Sequence, residues 1–169
     1  MEQMTFTKSD GGRAAAGFKG NAGDCVARAV AIASSRPYAE VYAALAKGTG
    51  AQRAGKCGKR PASARNGINT TRKWFKDYMA SLGFVWVPTM TIGSGCKVHL
   101  AKGELPMGRL VVSLSRHMAA VIDGAIHDTH DPSRMGSVLA ADGQWRMTAR
   151  CVYGYWLLPT SDQHKQEQD

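Results

Sequence analysis

The amino-acid sequence predicts an α+β domain in which a helical first half packs on an antiparallel β-sheet built from the second half. Up to Gly83, apolar residues recur at three- and four-residue spacing, the period of a helix face. Beyond Gly83 they fall into short runs bounded by Gly, Pro and Asp, the pattern of strands. The two patterns are segregated along the chain rather than alternating, which argues against a doubly wound parallel sheet.

The 169 residues suit one domain with one hydrophobic core, expected to span residues 1–159 and to be followed by a polar tail, 160–169. With 44% hydrophobic and 21% charged residues, the composition is that of a globular protein rather than a disordered one. No apolar run approaches the roughly 20 residues of a membrane span. Glu2, Lys8 and Asp10 interrupt the first twelve residues, which therefore lack the apolar core of a secretory signal. A cytoplasmic location with no membrane partner is the expectation. Cys25, Cys57, Cys96 and Cys151 form no C-x-x-C pair, so zinc-knuckle and dithiol redox sites are excluded, and free thiols are expected.

Residues 1–23, rich in Gly, Ala and small polar side chains, read as an irregular lead-in that contributes no core. The first helix begins at Asp24, a good N-cap residue, and runs through Cys25-Val26-Ala27-Arg28-Ala29-Val30-Ala31-Ile32-Ala33. Arg28 is its one charge, so apolar residues surround the cylinder, as in a helix buried on all sides. Pro37 suits the first position of a second helix to about Lys47, with Tyr38, Val41, Tyr42 and Leu45 on one face. A third starts at Thr70 or Thr71 and runs to Leu82, its stripe formed by Trp74, Phe75, Tyr78 and Met79, with Gly83 as its stop. Residues 98–105 suit a single helical turn. The strands expected are 84–87, 109–115, 117–123, 125–129 and 150–158. Asp123-Gly124 is a two-residue hairpin signal between the third and fourth of them.

The net charge of +9 is concentrated between Lys47 and Lys76, where nine Lys or Arg occur without an acid. The stretch 48–69, interspersed with Gly and Pro, reads as a basic loop. Lys56, Lys59, Arg60 and Arg65 are its candidate contacts to nucleic acid or another polyanion, since neutralising phosphates releases counterions. A solvated loop without a partner is the plainer alternative.

A nucleophilic thiolate needs a stabilised negative charge, a general base and a group that orients the base. Cys25, in the first turn of the buried helix, has the favourable end of a helix dipole. His117 begins a strand whose next residues, Met118 to Ile122, are apolar, so its ring stands where the sheet ends. If Asp123-Gly124 is the loop, Ile122 faces Ala125, Ala119 faces Asp128 and His117 faces His130. His117 and Asp128 then project from one face as diagonal neighbours. Asp131 has the opposite parity and Asp123 sits in the turn, so Asp128 is the expected orienter. A metal site from His117, His127, His130, Asp128 and Asp131 competes, but His127 and His130 point to opposite faces.

The run Gly23-Asp24-Cys25-Val26-Ala27-Arg28-Ala29, followed much later by Ser115-Arg116-His117-Met118-Ala119-Ala120-Val121-Ile122-Asp123-Gly124-Ala125-Ile126-His127-Asp128, resembles the papain-like cysteine peptidases, in particular bacteriocin-leader-processing branches. It is also similar to small proteins encoded by phages and plasmids. The resemblance covers about residues 21–156. It implies a papain-like fold, with a central nucleophile helix packed on a C-terminal antiparallel sheet, and Cys25, His117 and Asp128 as nucleophile, base and orienter. Where these enzymes usually place an oxyanion-binding Gln, this chain offers Asn21, whose amide N–H would join the Cys25 backbone N–H, with Lys19 as the next choice. The implied activity is hydrolysis of a peptide, isopeptide or other amide bond in a peptide or protein substrate, through a Cys25 thioester and without a cofactor. A non-catalytic binding protein of a mobile element, using the basic loop, and a virion-associated structural protein are the alternatives.

Overall fold

The computed structural model, which describes residues 1–52, 58 and 61–159, places three helices on one face of a six-stranded sheet. In chain order the elements are β1 (Thr5–Lys8), α1 (Cys25–Ser34), α2 (Tyr38–Ala51), α3 (Lys73–Ser81), β2 (Val85–Pro88), β3 (Arg109–Leu114), β4 (His117–Ile122), β5 (Ala125–Asp128), β6 (Gly136–Leu139), β7 (Trp145–Thr148) and β8 (Gly154–Leu158). The sheet order is β1-β5-β4-β3-β8-β2, while β6 and β7 form a separate hairpin. Every pairing in the large sheet is antiparallel except that of β1 with β5.

Helix α1 is the middle layer. It lies against β4, β3 and β5 with α2 beside it, and buries Val26, Ala27, Arg28, Ala29, Val30, Ala31 and Ala33. Alanines on its sheet side let the backbone approach closely, which a Leu-rich helix would not allow. The helix ends at Ser35, whose left-handed φ of 57° turns the chain toward α2.

The central strands read as continuous apolar runs because both faces of the sheet are covered. Val111, Met118, Ala120 and Trp156 face the helices, joining Val30, Val41, Leu45, Phe75 and Met79. Leu110, Val112, Leu114, Ala119, Val121 and Ile126 face the other way and are roofed by Met4, Leu100, Leu105 and Val152. Between β4 and β5 the Asp123-Gly124 turn has φ of 46° and 77°, positive at both positions as a type I′ hairpin requires. It pairs Ile122 with Ala125 and Ala120 with His127, the expected register.

Several expectations need correction. The lead-in does build structure: Thr5–Lys8 adds a parallel edge strand to β5, and Met4 is buried. A short polar Thr-Phe-Thr-Lys segment carries little pattern of its own, and its pairing is supplied by the exposed edge of β5. Helix α2 runs four residues past Lys47, into the stretch expected to be loop. Gly48 and Gly50 serve close packing there, since a Cβ on Gly48 would fall 2.2 Å from the Trp74 ring and one on Gly50 2.7 Å from Ala62. Arg150 to Val152 do not join β8, because they bond instead to the 98–100 segment, with Leu100 N–H donating to Arg150 O at 2.8 Å and Val152 N–H to Val98 O at 2.8 Å. The same pairing takes up 98–100, and the turn expected at 98–105 is confined to 101–104, where Glu104 N–H donates to Ala101 O at 3.3 Å. The mostly exposed β6–β7 hairpin, absent from the expected strands, lacks strict apolar alternation, and the Asp142-Gly143 dipeptide in its turn is the signal that marks it.

Cys96 and Cys151 form a disulfide, which corrects the expectation of free thiols for those two. Cys25 is free, and Cys57 lies outside the described residues. Among the described residues no helix is long and apolar enough to cross a membrane.

The disulfide closes a loop across a sequence separation of 55 residues, tying the 89–98 segment to the strand region. Replacing Cys96 and Cys151 together by Ser is expected to lower the unfolding free energy by roughly 2–4 kcal/mol, read from urea midpoints. An unchanged midpoint would show that the crosslink is absent in the folded protein.

Candidate active site

The site forms where the start of α1 meets the ends of β4 and β5. The first helical hydrogen bond, Arg28 N–H to Asp24 O at 3.1 Å, leaves the N–H groups of Cys25, Val26 and Ala27 without acceptors inside the helix. The Cys25 sulfur sits at that positive end and is partly buried. His117, the first residue of β4, reaches it from the sheet.

His117 Nε2 lies 2.5 Å from Asp128 Oδ2. With Nε2 engaged by the carboxylate, Nδ1 is the nitrogen left for the Cys25 thiol, to which His117 is hydrogen-bonded. Asp128 is held in turn by Thr129, whose backbone N–H donates to Oδ1 at 2.6 Å and whose hydroxyl lies 3.3 Å from the same oxygen. The His117 side chain is 11% exposed and that of Asp128 3%, so the pair interacts largely out of water.

This environment shifts all three groups. Burial raises the Cys25 thiol, but the His117 hydrogen bond, the Met118 N–H and the charges of His117 and Arg28 more than offset it, leaving Cys25 below its ordinary value of 9.0. Burial alone would lower His117; its hydrogen bonds to Asp128 and Cys25, reinforced by their charges, raise it from 6.5 to about 9. Asp128 is raised by burial yet ends below its ordinary value, held there by His117, by Thr129 and by the charge of Arg28. The three shifts all favour the charged forms, thiolate, imidazolium and carboxylate, an arrangement suited to nucleophilic attack followed by proton delivery.

Asp24 does not cap α1 with its side chain. Its carboxylate is buried and accepts from Arg13 Nε at 2.8 Å, from Arg28 and from the Tyr38 hydroxyl. Asp24 does occupy the N-cap position as expected, but its side chain makes no capping hydrogen bond because two guanidinium groups and a phenol compete for the same oxygens. Burial and the Asp24 carboxylate keep the Tyr38 phenol protonated, so it donates. Arg28 was visible in the sequence as a lone charge four residues after Asp24. Arg13, arriving from the lead-in, was not.

Cys25, His117 and Asp128 are thus brought together. Asn21 is not: it is exposed and does not line the depression at Cys25, and its carbonyl is taken by Arg65 Nη2 at 2.9 Å. The Gly23–Asn66 bridge fixes this approach to α1 beside residues 65–67, which is why Asn21 stands off. Lys19 is likewise exposed and away from the depression, its carbonyl bound by Arg13. The N–H groups of Cys25, Val26 and Ala27, without acceptors inside the helix, are the backbone donors at this end of α1. Asp131 is occupied by Ser133 N–H and Gln3, and Asp123 by Gly108 N–H. The His130 ring lies tilted against that of His117, with centroids 5.3 Å apart, on the side the hairpin register predicts. No cluster of three metal-ligating side chains occurs among the described residues.

The depression at Cys25, about 300 Å³, is lined besides Cys25 and His117 by Val26, Ile68, Thr70, Ser113, Arg116 and Met118, among others. It shares Thr70, Ser113 and Met118 with an adjoining hollow walled by Trp86, Tyr153 and Trp156. Of the expected polyanion contacts, Lys56, Lys59 and Arg60 lie outside the described residues, and Arg65 holds Asn21 O. Comparison of the chain with protein-family models, with curated proteins and with solved structures finds no match.

The shifts set a pH dependence. The His117 imidazolium stabilises the folded state fully below pH 6.5, and that contribution is lost as pH rises through about 9. The Cys25 thiolate contributes above its ordinary 9.0 and loses its contribution as pH falls through the lowered value. Alkylation of Cys25 by iodoacetamide is expected to inflect below pH 9.0 in the native protein and close to it in the denatured chain. His117→Ala is expected to move the native inflection upward. Coincident native and denatured profiles would remove the ion pair.

Proposed function

We propose that the protein is a papain-like cysteine hydrolase that cleaves a peptide, isopeptide or other amide bond through a thioester on Cys25. The observation that carries this reading is the chain of contacts from Cys25 at the start of α1, through His117, to Asp128 at 2.5 Å. A Cys placed for packing alone needs neither an imidazole on its sulfur nor a carboxylate behind the imidazole.

In this reading the Cys25 thiolate attacks the substrate carbonyl carbon, and the electron pair of the C=O bond moves onto oxygen. N–H groups of the first α1 turn stabilise that oxyanion. Collapse of the tetrahedral intermediate breaks the C–N bond as His117 gives its proton to the departing amine, leaving a thioester. Water then attacks the thioester carbon while His117 takes a proton from it. The second collapse expels the Cys25 thiolate and releases a carboxylic acid, with His117 again protonated. Asp128 holds the ring so that Nδ1 faces sulfur and stabilises the imidazolium. The hollow walled by Trp86, Met118, Tyr153 and Trp156 supports an apolar substrate side chain next to the reacting carbonyl.

A peptidyl fluoromethyl ketone is expected to add to Cys25 with the mass of one thioether, and Cys25→Ala to abolish the adduct. His117→Ala and Asp128→Ala are expected to slow the reaction roughly 100- to 10,000-fold, with the Asp128 variant retaining its near-ultraviolet circular dichroism. Labelling of native Cys25 no faster than that of the denatured chain would overturn the assignment.

A further inference from the structure

A second depression, about 400 Å³, shares Arg116 and His117 with the one at Cys25 and is completed by Ser115, His130, Arg134 and Arg150. Three guanidinium groups and two imidazoles thus line a single hollow with no carboxylate in its wall. The nearest acid in sequence, Asp131, is bound to Ser133 N–H and Gln3. Among the described residues, Arg116, Arg134 and Arg150 form no ion pair, whereas Arg13, Arg28, Arg36 and Arg146 each have a carboxylate.

The cationic groups are held close together. Arg150 donates to the Ser115 carbonyl through Nη2, while its Nε is buried with no partner among the described residues. Burial and the charge of Arg134 depress the Arg150 guanidinium, and the Cys25 thiolate acts on it in the opposite sense, so Arg150 lies within electrostatic reach of the nucleophile. Arg116 and Arg134 adopt left-handed backbone conformations, φ 55° and 50°, which disfavour a long side chain by about 1 kcal/mol each. Among the described residues Asp128 balances His117, but no carboxylate pairs with Arg116, Arg134 or Arg150.

We infer that this hollow is the subsite for an anionic group of the substrate, a carboxylate or a phosphate carried close to the bond that Cys25 attacks. The inference rests on the Cys25 hydrolase reading and adds a substrate class to it. Planar guanidinium groups take such anions through paired N–H donors, and the shared Arg116–His117 wall sets the anion one side chain away from the reacting carbon.

The experiment compares two small alkylating probes of similar size, anionic iodoacetate and neutral iodoacetamide, on the full chain. The rate at Cys25 is read by mass spectrometry, and their ratio isolates anion recognition from thiol reactivity. Because the His117 charge is present in every protein compared, the change on substitution reports the arginines. Arg134→Gln and, separately, Arg150→Gln are expected to lower the iodoacetate-to-iodoacetamide ratio by about 5- to 10-fold, with the iodoacetamide rate held within about twofold as the control for folding. Glutarate or inorganic phosphate in excess is expected to protect the parent protein from iodoacetate, and whichever protects better identifies the anion as carboxylate or phosphate. A ratio unchanged in both variants while iodoacetamide still reacts fast, or failure of both anions to protect, overturns the subsite and leaves the hydrolase reading standing. A slow iodoacetamide reaction in the parent overturns the hydrolase reading instead.

Discussion

The Asp24 carboxylate is buried to 1% exposure, one residue ahead of the free thiol, and three donors from three parts of the chain converge on it. Arg13 brings the lead-in, Arg28 the second turn of α1, and Tyr38 the start of α2. A buried carboxylate left unpaired is strongly unfavourable, so these segments are held wherever the carboxylate is. Removing one partner of such a buried pair typically costs about 3–5 kcal/mol. The start of α1 is therefore fixed from both sides, and with it the direction in which Cys25 points.

The sheet does the corresponding work for His117. His117 and Asp128 lie on adjacent strands joined by a two-residue turn, so their separation is set by strand pairing rather than by a loop. Both faces of β4 are buried, by α1 on one side and by Leu100, Leu105 and Met4 on the other, which leaves the strand little freedom to slide. A one-residue slip would put His117 and Asp128 on opposite faces of the sheet and break their contact. Precision at the reacting groups thus comes from regular elements, while Arg116, Arg134 and the aromatic wall come from turns and edges around them.

Much of this was legible in the sequence, for identifiable reasons. Helix α1, the Asp123-Gly124 hairpin and the partnership of His117 with Asp128 follow from periodicity and parity, which are local and nearly independent of context. The parts that were not legible depend on partners distant in sequence. β1 is a strand because β5 has an open edge; Asp24 is an ion-pair centre because Arg13 folds back; Arg150 leaves β8 because the 98–100 segment pairs with it. The pairing of Cys96 with Cys151 likewise depends on that association, since their Cα atoms come within 5.8 Å only when the 89–98 segment lies over the strand region. Asn21 illustrates the opposite failure, a residue of suitable chemistry whose backbone is claimed by Arg65.

Charge balance separates the interior of the site from its rim. Arg13, Asp24 and Arg28 form one buried series and Asp128, His117 and Cys25 another, with the charge of Arg28 acting on both Asp128 and Cys25. Alternating signs let six ionisable groups share a poorly solvated volume, because each charge has an opposite neighbour to replace lost water. The hollow at Arg116, Arg134 and Arg150 departs from that rule although it begins at the same histidine. Among the described residues the charges beside Cys25 have opposite neighbours while three guanidinium groups next to them have no carboxylate, so the imbalance lies where a molecule entering the Cys25 depression would meet it, and its position, rather than its size, is what makes it a candidate for anion recognition.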